Sequence, residues 1–186
     1  MAQCFSAKKL KAGKKIKCGR CAARILPGEQ YYYFSVGFRG QKQYRCNLHH
    51  PRGSELCGSK MAGVYAANES IEDAMGKGPG ALADAIECAV SDVESVRDEY
   101  QEGFDNMGDN LQQAESGQAV EEKISGLDDY VNEMNDAASA LRDMEPEETE
   151  SENAEEGDEA ADPDISHEII QQADDRAQEL LDGFSL

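Results

Sequence analysis

The chain has no tryptophan and few other aromatics: five phenylalanines and seven tyrosines make up 6% of its 186 residues. A large aromatic core is therefore excluded. No stretch approaches the roughly 18 consecutive apolar residues of a membrane-spanning helix, so no membrane role is expected. Six lysines precede Cys18 without any apolar run, so neither a secretory signal nor an anchor is expected there. A glycine-rich phosphate loop, a nucleophile elbow and a paired-carboxylate motif are all missing, which argues against an enzyme. Acidic residues are nearly missing from the first third. Residues 1–62 carry 13 Lys/Arg against Glu29 and Glu55 alone, a net of +11. Basic residues are nearly missing from the rest: residues 63–186 hold 5 against 36 acids, a net of −31, and the whole chain comes to −20. A chain so polarised is not a single mixed-surface globule. The split suggests a polyanion-binding end and an acidic arm.

Within the basic third stand Cys18-Gly19-Arg20-Cys21 and, 24 residues on, Cys46-Asn47-Leu48-His49. Each tight turn offers two soft or borderline ligands from one side, and the intervening loop lets the pairs converge, as a tetrahedral structural zinc requires. One structural Zn2+ held by Cys18, Cys21, Cys46 and His49 is expected. His49 is preferred because a two-residue spacer makes the tighter turn; His50, next to it, and Cys57 remain alternatives for the fourth ligand. Cys4 and Cys88 lack partners nearby and read as free thiols. Zinc thiolates in a reducing cytoplasm fit this pattern better than disulfides. Tyr31, Tyr32, Tyr33, Tyr44, Phe34 and Phe38 all lie between the two pairs. A core of about 45 residues buries too little apolar surface to fold easily alone, and metal binding can supply the missing folding free energy.

The organisation follows from the punctuation. Residues 1–17 read as a flexible basic arm and 18–75 as a zinc-binding module with a following helix. Ile25–Glu29 is a turn signal, residues 30–38 have strand character, Gly37–Gly40 offers a hairpin turn into Lys42–Cys46, and Ser54 offers a cap for a short helix through Lys60 or beyond. Knuckle, hairpin, knuckle, helix is the order of a treble-clef or zinc-ribbon module, a small α+β fold. Residues 76–80 form a Gly/Pro linker. Across 81–144, Leu82, Ile86, Ala89, Val93, Val96 and Tyr100 make a helical stripe of period 3.5, which resumes after a skip of four at Phe104, Met107, Leu111 and Ala114. Ser116-Gly117 reads as a break. Val120, Ile124, Leu127, Val131, Met134, Ala138 and Leu141 then hold a strict heptad. An acidic helical hairpin is preferred, with a self-associating coiled coil as the other solution. Residues 145–163 form an acidic linker expected to be disordered, since residues 145–164 contain eleven acids and no base. Residues 164–186 regain an amphipathic pattern, with Asp164 or Ser166 as N-cap, and read as a helix that docks on a partner or back onto the same chain.

The basic residues Lys8, Lys9, Lys11, Lys14, Lys15, Lys17, Arg20, Arg24, Arg39, Lys42, Arg45 and Arg52 are candidates for phosphate contact. Tyr31–Phe34 or Phe38 are available for base stacking, or equally for the small core. DNA and RNA are not distinguished. The acidic arm reads as a spacer, as a competitor for the basic face, or as a DNA mimic that acts on a protein partner. His49-His50-Pro51 beside the cysteine pairs is similar to the His segment of zinc-supported ββα-metal nucleases. That chemistry needs a further Asn or His, and the remaining histidine, His167, lies beyond the acidic linker.

The string Lys-Cys-Gly-Arg-Cys, Ile-Leu-Pro-Gly-Glu, Tyr-Tyr-Tyr-Phe, Arg-Cys-Asn-Leu-His-His-Pro-Arg and Ser-Glu-Leu-Cys-Gly-Ser-Lys-Met, spanning Lys17–Tyr65, resembles small zinc-finger proteins of tailed bacteriophages. His49 stands where those proteins usually carry their fourth cysteine, and Cys57 where they carry threonine. The resemblance thus implies His49 as the fourth ligand and a phage-encoded zinc finger. More loosely, the spacing is similar to that of the DNA-break-sensing fingers of poly(ADP-ribose) polymerases, which implies an architecture suited to DNA. The resemblance covers about a quarter of the chain.

Overall fold

The computed structural model describes residues 6–11, 13–35, 40–144 and 163–184. It is mixed α and β, with a small sheet and a majority of helix, and divides into two compact units, residues 1–66 and 67–186.

The first unit contains β1 (Ser6–Lys9), β2 (Ile16–Lys17), β3 (Arg24–Ile25), β4 (Gln30–Phe34), β5 (Gln43–Cys46) and the short helix α1 (Gly53–Leu56). Strands β1, β4 and β5 form an antiparallel sheet in that order, and β2 pairs with β3. Strand alternation sorts the aromatics of β4. Tyr32 and Phe34 are buried, while Tyr31 and Tyr33 are half-buried on the opposite face. Leu10 and Ile25 complete the buried apolar set around the sheet. The Leu26–Glu29 turn has Pro27 and Gly28 in its two central positions. Gly28 has φ +90°, the Glu29 N–H donates to the Leu26 carbonyl at 3.1 Å, and the Leu26 N–H donates to Glu29 Oε2 at 2.7 Å. That is the residue order a type II turn demands.

Two expectations change here. Residues 1–17 were expected as a flexible arm, but 6–9 and 16–17 are strands of this unit and Leu10 is buried. The reason is that β4 offers its free edge to β1, with Lys8 opposite Tyr31. Ser54, expected to cap a short helix through Lys60 or beyond, instead lies inside the single turn α1, whose N-cap is Arg52 and which ends before Cys57. The Gly37–Arg39 part of the expected hairpin turn lies outside the described residues.

Helix α2 (Ala62–Glu72) contains the division between the units. The second unit is built on α3 (Pro79–Asp105), α4 (Asp109–Gln112), α5 (Glu115–Arg142) and α6 (Pro163–Gly183). Gly76 and Gly78 both have positive φ and turn the chain out of α2, and Pro79 opens α3 at a position where its missing N–H costs nothing. The stripe Leu82, Ile86, Ala89, Val93 and Val96 of α3 is buried, as are Leu127, Val131, Met134, Ala138 and Leu141 of α5. Arg97 pairs with Asp128 at 2.9 Å, while Arg142 pairs with Asp84 and Glu87. The two helices therefore run antiparallel. These exposed ion pairs add little; the apolar seam carries the packing. Helix α6 packs on α3 and α5 through Ala173, Ala177 and Leu180, the Phe184 ring lies 4.5 Å from that of Tyr130, and the Gly76 N–H donates to Asp174 Oδ1 at 2.8 Å. The buried Tyr130 hydroxyl donates to Asn68 Oδ1 at 2.8 Å, and burial pushes its pKa up to about 12.

The break between the long helices falls elsewhere than expected. Helix α3 ends at Asp105, α4 is a separate turn, and Ser116-Gly117 lies inside α5. Leu111, expected on the resumed stripe, is exposed. Gly117 serves close approach rather than a turn, because a Cβ there would sit 2.1 Å from the Gln112 carbonyl oxygen. Helix α6 begins at Pro163, ahead of both expected caps. The acidic run 145–162 lies outside the described residues.

Candidate metal centre and basic face

The two ligand pairs are presented by two different local devices. The first sits on the β2–β3 connection. The Cys18 N–H donates to the Ala23 carbonyl at 2.9 Å, the Ala22 N–H donates to the Cys18 carbonyl at 3.0 Å, and Ala22 takes a left-handed φ of 56° to close the loop. Gly19 is pressed against β5. Its N–H donates to the Tyr44 carbonyl at 2.9 Å, and a Cβ would fall 2.3 Å from Arg45 Nη1. The second pair leaves the end of β5 in a turn that the His49 N–H closes on the Cys46 carbonyl at 3.0 Å.

These turns bring one ligand atom from each of Cys18, Cys21, Cys46 and His49 within 4.8 Å of one another. Cys46 Sγ lies 3.1 Å from His49 Nδ1, Cys18 Sγ lies 3.8 Å from the same nitrogen, and the sulfurs of Cys21 and Cys46 are 4.0 Å apart. A tetrahedral ion with about 2.3 Å to sulfur and about 2.0 Å to nitrogen separates its ligand atoms by roughly 3.5–3.8 Å. The four groups therefore lie close enough to hold a metal ion. Burial works against ionising Cys18, but backbone groups of Cys21, Cys46 and Arg20 around its sulfur favour the thiolate and bring its pKa to about 6. Burial pushes the Cys46 thiol up, with Cys18 and Cys21 adding to the rise. A bound cation would stabilise both as thiolates, the form that ligates.

The two alternatives for the fourth position are otherwise engaged. His50 lies against Tyr32, ring centroids 4.4 Å apart, with Nε2 3.2 Å from the tyrosine hydroxyl. Cys57 sits beside Ser59, Sγ to Oγ 3.1 Å. Among the described residues neither joins the cluster. Cys88 is exposed on α3, and Cys4 lies outside the described residues.

The candidate phosphate-contact residues divide. Lys14, Lys15, Lys17, Arg20, Arg24 and Lys42 are exposed, and Arg52 is half-buried. Arg39 lies outside the described residues. Arg45 is a correction: it is 5% exposed and faces inward. Its Nε and Nη2 donate to the Glu55 carboxylate at 2.6–3.2 Å, Nη1 donates to the Tyr44 carbonyl at 2.9 Å, Nη2 also donates to Gln43 at 3.1 Å, and the guanidinium stacks 5.3 Å from the Phe34 ring centre. Strand register explains this, because Arg45 stands opposite the buried Tyr32.

On the other face of the same sheet is a groove of about 450 Å³. Its cations are Lys8, Lys9, Lys11, Lys14, Lys15 and Lys42, and its rings are Tyr31, Tyr33 and Tyr44; among the described residues no carboxylate lines it. Sequence reasoning placed the lysines in a basic patch without seeing which rings they surround. The signal was available: alternation along Tyr31–Phe34 assigns alternate rings to opposite faces.

No protein-family profile, curated protein or solved structure matches this chain. No described helix is long and apolar enough to cross a membrane.

Proposed function

We propose that this chain is a non-enzymatic zinc-finger protein, of the kind encoded by tailed phages, that binds nucleic acid through its basic N-terminal unit. The observation that carries this reading is the groove lined by six lysines, with no carboxylate among the described residues, on a sheet whose other face is the core. Zinc suits three sulfurs and one imidazole nitrogen. It would hold the two turns in a zinc-ribbon-like or treble-clef-like arrangement, and four protein ligands leave no open position for a substrate. In this reading its contribution is to the fold of the unit that presents the lysines. Phosphates entering the groove release counterions, so affinity falls steeply with salt.

The acidic helical part would regulate this binding or recruit a protein partner. A second reading, an adaptor or DNA-mimic-like inhibitor acting through that part, is favoured by the excess of 36 acids over five bases in residues 63–186. The test is a salt titration of the full chain against labelled nucleic acid, beside a Lys14→Gln/Lys15→Gln variant. Affinity that falls with salt and weakens in the variant supports the proposal. No binding at low salt refutes it and leaves the adaptor.

A further inference from the structure

The groove contains more than charge. Tyr31 and Tyr33 project from β4 and Tyr44 from β5, where Tyr33 and Tyr44 are directly opposed. The strand order β1-β4-β5 puts Tyr31 and Tyr33 on the central strand and Tyr44 beside them on the edge strand. Lys8, opposite Tyr31 on β1, flanks it on one side, and Lys42, just before β5, on the other. The Lys8 ammonium lies 4.8 Å from the Tyr33 ring centre and the Lys42 ammonium 5.9 Å from it. Ring centres are 6.3 Å apart between Tyr31 and Tyr33 and 6.0 Å between Tyr31 and Tyr44, tilted by 44° and 51°.

A surface that only attracted phosphate would have no use for three adjacent half-buried rings. Resting on the reading that the groove binds nucleic acid, we infer that its ligand is a single strand, with unpaired bases lying on Tyr31, Tyr33 and Tyr44 and the sugar-phosphate chain following the flanking lysines. The ring spacing favours this choice. It is nearly twice the ~3.4 Å rise per nucleotide of a stacked strand, so bases seated on successive rings must be unstacked from each other. A duplex, whose base faces are covered by their neighbours, does not offer them. Stacking is tolerant of base identity and adds to backbone attraction. Lys8, exposed on its long flexible stem, can leave the Tyr33 face for a phosphate when a base arrives.

The test titrates the full chain, with zinc content and circular dichroism confirmed for each variant, against dye-labelled oligo-dT, oligo-rU and a duplex with the same number of phosphates. At least one single strand is expected to bind about 10-fold or more tighter than the duplex, and comparing the two single strands identifies the sugar. Tyr33→Leu, which keeps an apolar side chain but removes the ring, should weaken single-strand binding by about 5- to 150-fold. Its salt slope should stay unchanged. Tyr31→Leu serves if Tyr33→Leu fails to retain zinc. Lys14→Gln/Lys15→Gln should instead flatten the single-strand salt slope by about 1.4. Duplex binding equal to single-strand binding, or tyrosine variants that bind as the parent does while the lysine variant weakens, would overturn the single-strand inference and leave nucleic-acid binding standing. No binding to any probe would overturn both.

Discussion

Removing the charge of Glu55 should loosen the metal centre although Glu55 is not a ligand. Its carboxylate accepts from Arg45 Nε at 3.1 and 3.2 Å and from Nη2 at 2.6 Å, and accepts the Arg52 N–H at 3.2 Å. Arg45 lies under Gly19 and on Phe34, so it connects the first ligand turn to the core. In Glu55→Gln the guanidinium stays in place, 5% exposed, without its counter-charge. Breaking a fully buried pair costs about 3–5 kcal/mol, and losing hydrogen bonds to a charged group costs about 1.5–3 kcal/mol. The Glu55 side chain is 22% exposed, so water can partly replace it, and the lower range applies. We expect about 2–3 kcal/mol. If metal binding and folding of this unit are one process, that cost appears as zinc affinity weakened about 30- to 150-fold. The assay is competition for zinc against a chromophoric chelator, parent beside variant.

The pH dependence has a definite sign. Burial raises the Glu55 pKa, but hydrogen bonds from Arg45 and the Arg52 N–H, with the charge of Arg45, leave it below the ordinary glutamate value. A depressed folded pKa stabilises fully above the unfolded value of about 4.3 and is lost as pH falls through the folded one. The gap between parent and Glu55→Gln should therefore be constant from neutral pH down to about 4.5 and narrow below. Zinc affinities within twofold of each other at neutral pH would refute the coupling of this ion pair to the site.

Cys18→Ser should abolish stoichiometric zinc, expected at about one per chain by elemental analysis, and unfold the first unit while the helical signal of residues 67–184 persists; strand signal retained without zinc would contradict it. Gly117→Ala should destabilise the helical unit by about 1–3 kcal/mol through forced movement of the Gln112 backbone, read as a lower thermal midpoint, whereas Gly117 as a mere turn would tolerate alanine. Tyr130→Phe should cost about 1 kcal/mol by removing the hydrogen bond to Asn68, measured by denaturant titration. Sedimentation should give a monomer, because the apolar seams of α3 and α5 are buried within one chain; a dimer would replace this with intermolecular packing.

The ligand pairs could be read from spacing because a two-residue spacer confines both side chains to one side of a turn whatever surrounds it. The helical seams could be read because period 3.5 over several turns leaves one face to bury: Leu82 to Val96 and Leu127 to Leu141 are buried as their spacing requires. The two-residue spacer already preferred His49 over His50, and the fold adds the reason the neighbour stays out: its ring lies against Tyr32. Charge counting could not withdraw Arg45 from the basic face, because its orientation depends on strand register with Tyr32. Gly117 was misread as a break because glycine serves turns and close contacts alike, and only the neighbouring Gln112 backbone distinguishes them.

Sequence alone determined the polarity of the molecule, the four convergent ligands and the helical seams, since each follows from local spacing or from composition. Tertiary structure alone decided that the first lysines belong to a strand, that this strand lies beside the outward-facing tyrosines, and that one arginine turns inward. These depend on which strand lies beside which, and hydrogen-bonded pairing between distant segments leaves no local spacing by which it could be read.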